Sequence, residues 1–405
     1  MSHEQFPGSI ISKTAPTVTP PTGGEGGSAS GIWTLDQADY YISQGTWPKP
    51  KVLGALWGWG SGGSGAIGDG TSANYSSPIQ VGVSTSWNVI ADRLLGGQAI
   101  SSDGTLWGWG YNPYGQIGDN TTSSRSTPQK IGLLTNWVNV TSATFSVIAQ
   151  KTDGSIWSWG YNNNGQLGLG DITNRSSPVQ IGSLTNWSTV ACGSYHMLAV
   201  KTDGTLWSWG NNISGQLGLG NTTYYSSPKQ IGSGTSWSKV SAGNNLSAAL
   251  KTDGSIWSWG YNNYGQLGLG DITNRSSPVQ IGSLTNWLTI TCGAYAIFAL
   301  KTDGTLWSWG KASLYGALGL NNTTNYSSPK QVGALTNWAK LPLNNYGDRG
   351  FAIKTNGTLW AWGQNTNGEL GLGNMTNYSS PKQVGAATNW LKVANSELTT
   401  HAMRS

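Results

Sequence analysis

The chain has 405 residues, of which only 10% are charged, while glycine occurs 59 times and tryptophan 23 times. A net charge of +5 without any run of Lys or Arg lacks the basic patch that drives nucleic-acid binding, and two cysteines exclude a disulfide framework. No apolar stretch reaches membrane-spanning length and the amino terminus lacks a secretory signal, so neither membrane insertion nor export by that route is expected.

Residues 9–30 are rich in Pro, Thr, Gly and Ser and hold too few apolar side chains to bury, which predicts an extended, weakly ordered arm. Thr34-Leu35-Asp36-Gln37 then forms a capping box at the start of a short helix that runs to Gln44 and stops at Gly45. Trp33, Leu35, Tyr40, Tyr41 and Trp47 are the anchoring candidates of this one-helix knob, so residues 1–50 read as a separate anchor. The plainer alternative is a plug for one end of the domain that follows.

From residue 51 the chain changes in kind. Trp-x-Trp-Gly begins at Trp57, Trp107, Trp157, Trp207, Trp257, Trp307 and Trp360, a period of fifty residues that once lengthens to fifty-three. A further tryptophan keeps the same register at Trp87, Trp137, Trp187, Trp237, Trp287, Trp338 and Trp390, nine residues after a proline. A fixed period of this length signals a stacked or radial repeat, and makes these tryptophans scaffolding first.

One period, 187–237, shows the unit. Trp187 to Cys192 and His196 to Thr202 are short strands; Asp203-Gly204 predicts a two-residue type I′ turn; Thr205 to Trp209 returns as the third strand. A Gly- and Asn-rich loop, 210–227, leads past Pro228 into a fourth strand, Lys229 to Gly232, whose opening proline suits an edge. Four antiparallel strands make one blade.

In Thr205-Leu206-Trp207-Ser208-Trp209 the tryptophans share one face and Leu206 and Ser208 the other, and the residue between the tryptophans is small in every copy. A bulky face can therefore lie on the shaved face of the next sheet, which buries both faces, as radial packing requires. Aligning Trp390 with Trp187 sets Met403 to Ser405 against Val200 to Thr202, so Lys51 to Gly60 must supply the third strand of the last sheet. The fold class expected for 51–405 is all-β: a seven-bladed β-propeller of four-stranded antiparallel blades, closed by pairing of its N- and C-terminal strands.

Gly-Tyr-Asn-Asn-Asn-Gly-Gln-Leu-Gly-Leu-Gly at 160–170, with the Lys-Thr-Asp-Gly turn at 151–154 and the intervening Trp-Gly, resembles the repeat of the regulator of chromosome condensation family throughout 51–405. That resemblance implies a seven-bladed propeller. The family's functions range over guanine-nucleotide exchange, chromatin binding and β-lactamase inhibition, so the fold does not choose among them. Gly31 to Gln37 and Gly45 to Pro48 resemble a short segment of tailed-bacteriophage structural proteins, which implies docking on a virion through residues 1–50.

No catalytic constellation is visible: His3, His196 and His401 lack ligand spacing, and the turn aspartates are explained by hairpin geometry. Gly-Gln-Leu-Gly-Leu-Gly is followed by neither a helix nor Gly-Lys-Ser/Thr, so it is no phosphate loop. No enzyme activity, cofactor or metal is expected, and Cys192 and Cys292, equivalent positions of non-adjacent blades, read as small buried residues.

Contacts are sought where the repeat breaks. The loops joining first to second and third to fourth strands emerge on one face, which receives the extra residues of Lys311 to Tyr315 and Leu341 to Gly350. One large residue per blade precedes the Ser-Ser-Pro segment: Tyr75, Arg125, Arg175, Tyr225, Arg275, Tyr326 and Tyr378. Tyr264 replaces Asn164 in otherwise identical stretches, and Tyr315, Tyr346 and Arg349 lie in the insertions, which completes the candidate binding set. The leading expectation is a non-enzymatic virion protein of tail, neck or capsid, assembled in the host cytoplasm, anchored to other virion proteins through residues 1–50. Its propeller would meet a host surface glycan or envelope protein, with self-association left open. The alternative is a soluble propeller module that binds a protein partner.

Overall fold

Seven separate four-stranded antiparallel sheets make up the computed structural model, which describes residues 53–343 and 347–405. The arm, the helix from Thr34, the anchoring residues Trp33, Leu35, Tyr40, Tyr41 and Trp47, and Tyr346 lie outside the described residues. Blades 1 to 6 cover 87–130, 137–180, 187–230, 237–280, 287–331 and 338–383, each wound in chain order.

Blade 7 is stitched from both ends of the propeller. Its order is Trp390–Asn395, Thr399–Arg404, Ala55–Gly60 and Tyr75–Gln80, with Ala55 opposite Arg404 and Gly60 opposite Thr399. The seven-bladed fold with shared closure is as expected, and the closing pair leaves no unpartnered strand at the seam.

Blade faces pack as the alternation requires. On blade 3, Trp187, Val190, Cys192, Met197, Ala199 and Trp209 meet Ile148, Ile156 and Ile181 of blade 2. Ser158, between the two tryptophans of blade 2, is fully buried and turns its hydroxyl to the Leu167 carbonyl at 2.7 Å. Trp209 donates its indole N–H to the Gln166 carbonyl of blade 2 at 3.0 Å. Burying one such ring removes roughly 200 Å² from water, about 5 kcal/mol of transfer free energy. Gly168 allows the approach, because a Cβ there would sit 2.7 Å from the indole nitrogen.

Two local expectations are corrected. The Asp-Gly turn is not the two-residue type: Lys201 N–H donates to Thr205 O at 3.0 Å, Gly204 N–H to Lys201 O at 2.9 Å, and Gly204 is left-handed at φ +77 while Asp203 is not. This is a three-residue loop, a type I turn closed by glycine. Asp203 is needed for its side chain, since Oδ1 accepts Thr205 N–H at 2.9 Å and the Thr205 hydroxyl at 2.6 Å. The fourth strand also starts earlier, at Tyr225–Gln230, and Pro228 sits where its register with Leu206–Gly210 slips, at the sheet edge where its missing N–H does no harm.

The turn lysines take a place that residue spacing alone did not reveal. Lys201 Nζ lies 3.7 Å from the Trp207 ring centroid and 4.9 Å from that of Trp187, an arrangement repeated by Lys151, Lys251, Lys301 and Lys354. Burial draws the Lys151, Lys201 and Lys354 ammoniums below the usual lysine range.

Candidate functional site

The face formed by the first–second and third–fourth loops is built by one repeated hydrogen bond. The residue after each Trp-x-Trp-Gly donates its N–H to the carbonyl at the tip of the first–second loop: Tyr111 to Leu95, Tyr161 to Phe145, Asn211 to Tyr195, Tyr261 to Asn245 and Lys311 to Tyr295. Gln364 to Asp348 and Ser61 to Leu398 complete the ring. Side chains far apart in sequence are thereby set next to one another.

On blades 1 to 3 these positions make a continuous aromatic arc. Tyr111 and Phe145 lie 6.4 Å apart between centroids, Tyr114 and Phe145 5.3 Å, Tyr114 and Tyr161 5.0 Å, and Tyr161 and Tyr195 6.3 Å. A second cluster on blades 4 and 5 joins Tyr261, Tyr264 and Tyr295 at 5.8 to 6.2 Å. All these rings are half-buried. Edge-to-face packing of this kind holds large contact area rigid at low entropic cost.

Lys311 is the second cluster's own cation, 5.3 Å from the Tyr264 centroid, 5.1 Å from Tyr295 and 4.0 Å from the Asp348 carboxylate. Burial, followed by Tyr161, Glu397 and Tyr114, raises the Tyr195 hydroxyl above the usual tyrosine range. Burial likewise raises the Glu397 carboxyl, against the pull of Arg349.

The sector of blades 6, 7 and 1 is polar and closed. Arg349, placed by its sequence position among the rim contacts, is instead fully buried and paired with buried Glu369 at 3.2 Å. Its guanidinium also donates to the Ser396 and Glu397 carbonyls at 2.8 Å each, so it ties blade 6 to blade 7. Beside it His401 Nδ1 lies 3.3 Å from Asp92 Oδ1, while Thr399 donates its hydroxyl to the same oxygen at 2.9 Å.

The ring before Ser-Ser-Pro is half-buried and braces its own loops. Tyr75 donates to Asp69 at 2.6 Å; Arg125, Arg175 and Arg275 pair with Asp119, Asp171 and Asp271 at 3.1, 2.6 and 2.5 Å. Tyr326 and Tyr378 accept from Asn322 and Asn374 at 3.2 and 3.3 Å, and Lys229 Nζ lies 5.4 Å from the Tyr225 centroid. Tyr264 joins the second cluster, and Tyr315 is half-buried in the inserted loop. The structure thus separates these bracing residues from the aromatic arc and the second cluster, whose Tyr111, Tyr114, Phe145, Tyr161, Tyr195, Tyr261 and Tyr295 the search for repeat breaks passed over. Their signal was aromatic recurrence in register, Tyr111, Tyr161 and Tyr261 after one motif and Tyr195 and Tyr295 before the second strand.

Among the described residues no three His, Cys, Asp or Glu side chains gather as metal ligands would. Cys192 and Cys292 are buried thiols that form no disulfide, and burial pushes the latter up to about 12. His196 is pulled down to about 3 by burial and meets the Ser247 hydroxyl at 2.8 Å.

A family model described as the regulator of chromosome condensation (RCC1) repeat matches residues 103–149, 153–200, 203–250, 253–300, 303–340 and 356–397. A second model of that repeat matches 187–216 and 237–266. Among solved structures the chain is similar to human WBSCR16, with 22% identity, 87% of this chain and 99% of that chain covered, and a TM-score of 0.77. It is also similar to yeast RCC1 (Prp20) bound to Kap60, with 19% identity, 87% and 89% coverage and a TM-score of 0.78. Prp20p from Saccharomyces cerevisiae, studied with its binding to Gsp1p and histones, gives 20% identity, 87% and 91% coverage and a TM-score of 0.77. At these identities the likeness is one of fold.

Proposed function

Since this chain belongs to the RCC1 repeat family, we propose that it is a non-enzymatic propeller module that engages a protein partner through its loop face. The observation that carries this reading is the half-exposed aromatic arc from Tyr111 to Tyr195, which joins loops of blades 1 to 3 into one continuous patch. Tyrosine-rich rigid surfaces are what partner-binding sites are made of. The relatives bound to Kap60 or studied with Gsp1p and histones support a protein partner as the class of ligand. The test is capture of a stoichiometric partner by the full chain. Tyr114→Ser with Phe145→Ser is expected to abolish it, whereas Tyr225→Ser on the outer rim is expected to leave it intact. Equal capture by the arc variant would defeat the reading.

A second reading, a virion appendage displayed on a phage particle, rests on the resemblance of residues 31–48 to phage structural proteins and on the sparsely charged surface. In it residues 1–50 dock on other virion proteins and the propeller meets a host glycan or envelope protein. Incorporation of the chain lacking residues 1–50 into particles would refute it.

A further inference from the structure

Two neighbouring blade junctions carry the same cavity, each beside the linker that leads from one blade to the next. The one between blades 4 and 5 has a volume of about 400 Å³ and is lined by Trp287 and Trp307, but not by Lys301. The one between blades 5 and 6, of about 350 Å³, is lined by the equivalent Trp338 and Trp360, and Lys354 joins them. Its remaining wall is mostly apolar, with Leu320, Val332, Leu335 and Pro381, and Leu335, 48% exposed, marks its opening to solvent.

Lys354 is only 7% exposed. Among the described residues its ammonium makes no ion pair and no hydrogen bond, and lies over two indole rings, 3.7 Å from the Trp360 centroid and 4.9 Å from that of Trp338. The rings hold the charge in place but leave its three N–H donors without an acceptor atom. The Trp338 indole N–H, also buried, has no acceptor either.

Blade 6 differs from blade 5 in the turn beside this cation. In blade 5, Asp303 Oδ1 accepts the Thr305 hydroxyl at 2.6 Å, and Thr305 Oγ1 accepts the Trp307 indole N–H at 2.9 Å, so a carboxylate belongs to the cluster under Lys301. Blade 6 builds the same chain of bonds, Asn356 to Thr358 at 2.8 Å and Thr358 to Trp360 at 2.9 Å, with a neutral amide in the carboxylate's place. Asp103, Asp153, Asp203, Asp253 and Asp303 fill that position in blades 1 to 5. Blade 6 has thus kept the buried cation, lost the turn's negative charge, and turned the cation into a cavity of ligand size.

We propose that the cavity between blades 5 and 6 binds a small monocarboxylic acid, its carboxylate on the Lys354 ammonium and its apolar body against Leu320, Val332 and Leu335. One cation among otherwise neutral donors matches a single negative charge, whereas a phosphate dianion would be left half-compensated. An acidic side chain of a protein would bring its polar backbone against the apolar wall. The site lies on blades 5 and 6, apart from the aromatic arc of blades 1 to 3, and does not depend on the protein-binding reading.

The probe is hexanoate, compared with its neutral isostere hexanamide by titration calorimetry on the full chain. Hexanoate is expected to bind at least about five-fold tighter, as a charge-assisted contact requires. Lys354→Met, which keeps an apolar stem over the rings, should remove that preference. Asn356→Asp, which installs the residue of five sibling turns, should weaken hexanoate at least about three-fold and leave hexanamide unchanged. Equal affinity for acid and amide, binding of neither, or a preference that survives Lys354→Met would overturn the proposal. Should Lys354→Met fail to fold, hexanoate affinity untouched by Asn356→Asp would overturn it just as well. Displacement of hexanoate by equimolar inorganic phosphate, or tighter binding of N-acetylglutamate methylamide, would show that the site takes a different anion from the one proposed and would also overturn it. Tyr114→Ser with Phe145→Ser is expected to leave hexanoate binding unchanged, so this proposal and the protein-binding reading fail separately.

Discussion

Arg349 and Glu369 show how one residue's role depends on its place in the repeat. Glu369 occupies the position of Gln116, Gln166, Gln216 and Gln266, and accepts the Asn367 N–H at 2.8 Å just as Gln166 accepts that of Asn164 at 3.0 Å. The added charge is tolerated because Arg349 lies 3.2 Å away, both side chains being wholly buried. A buried pair of this kind is strongly destabilised when one partner is removed, whereas removing both charges is far milder. Arg349→Leu is therefore expected to lower stability by about 3–5 kcal/mol in urea unfolding, and Arg349→Leu with Glu369→Gln to recover most of it. A double variant as unstable as the single one would show that the arginine matters for its other hydrogen bonds to blade 7.

Among elements, the Asp-Gly turn holds a strongly depressed carboxyl. Hydrogen bonds from Ser101 and Thr105 hold the Asp103 carboxyl down to about 2, and Ser155, Thr205, Ser255 and Thr305 lower Asp153, Asp203, Asp253 and Asp303 in the same way. A carboxyl depressed by folding contributes stability that is present above the usual aspartate value of 3.8 and is lost as pH falls through the folded value. Acid unfolding should thus steepen between pH 3.8 and about 2, and Asp103→Asn with Asp203→Asn should flatten that window, as followed by tryptophan fluorescence against pH. A pH profile unchanged by the substitutions would contradict the hydrogen-bond origin of the shift.

At the scale of the whole molecule the seam in blade 7 decides whether a ring exists. Ala55–Gly60 pairs along its full length with Thr399–Arg404, and Lys392 Nζ reaches the Asn88 carbonyl of blade 1 at 2.6 Å. Removal of 399–405 leaves Ala55–Gly60 without that neighbour and opens two sheet edges. The shortened chain is expected to lose the single cooperative transition and to associate in size-exclusion chromatography. A monomer with an unchanged urea midpoint would mean that the other blades hold the ring unaided.

The fold was legible because each packing contact recurs with the period: two tryptophans, a small residue between them and a glycine after them state which faces are buried, without knowledge of neighbours. Closure was legible for the same reason, since Lys51 to Gly60 carries a third-strand pattern whose partners could only be at the other end. The turn type was misread because Asp-Gly names the residues but not which of them takes positive φ; the acceptor on Asp203 and the register of the strands decide that. Arg349 looked like a surface residue because burial of a charge depends on a partner, Glu369, twenty positions further along the chain, that the intervening residues do not predict. The aromatic arc needed the ring itself. Tyr114, Phe145, Tyr161 and Tyr195 come from four loops of three blades, and only radial closure, which turns equal steps along the chain into neighbours around an axis, sets them edge to face.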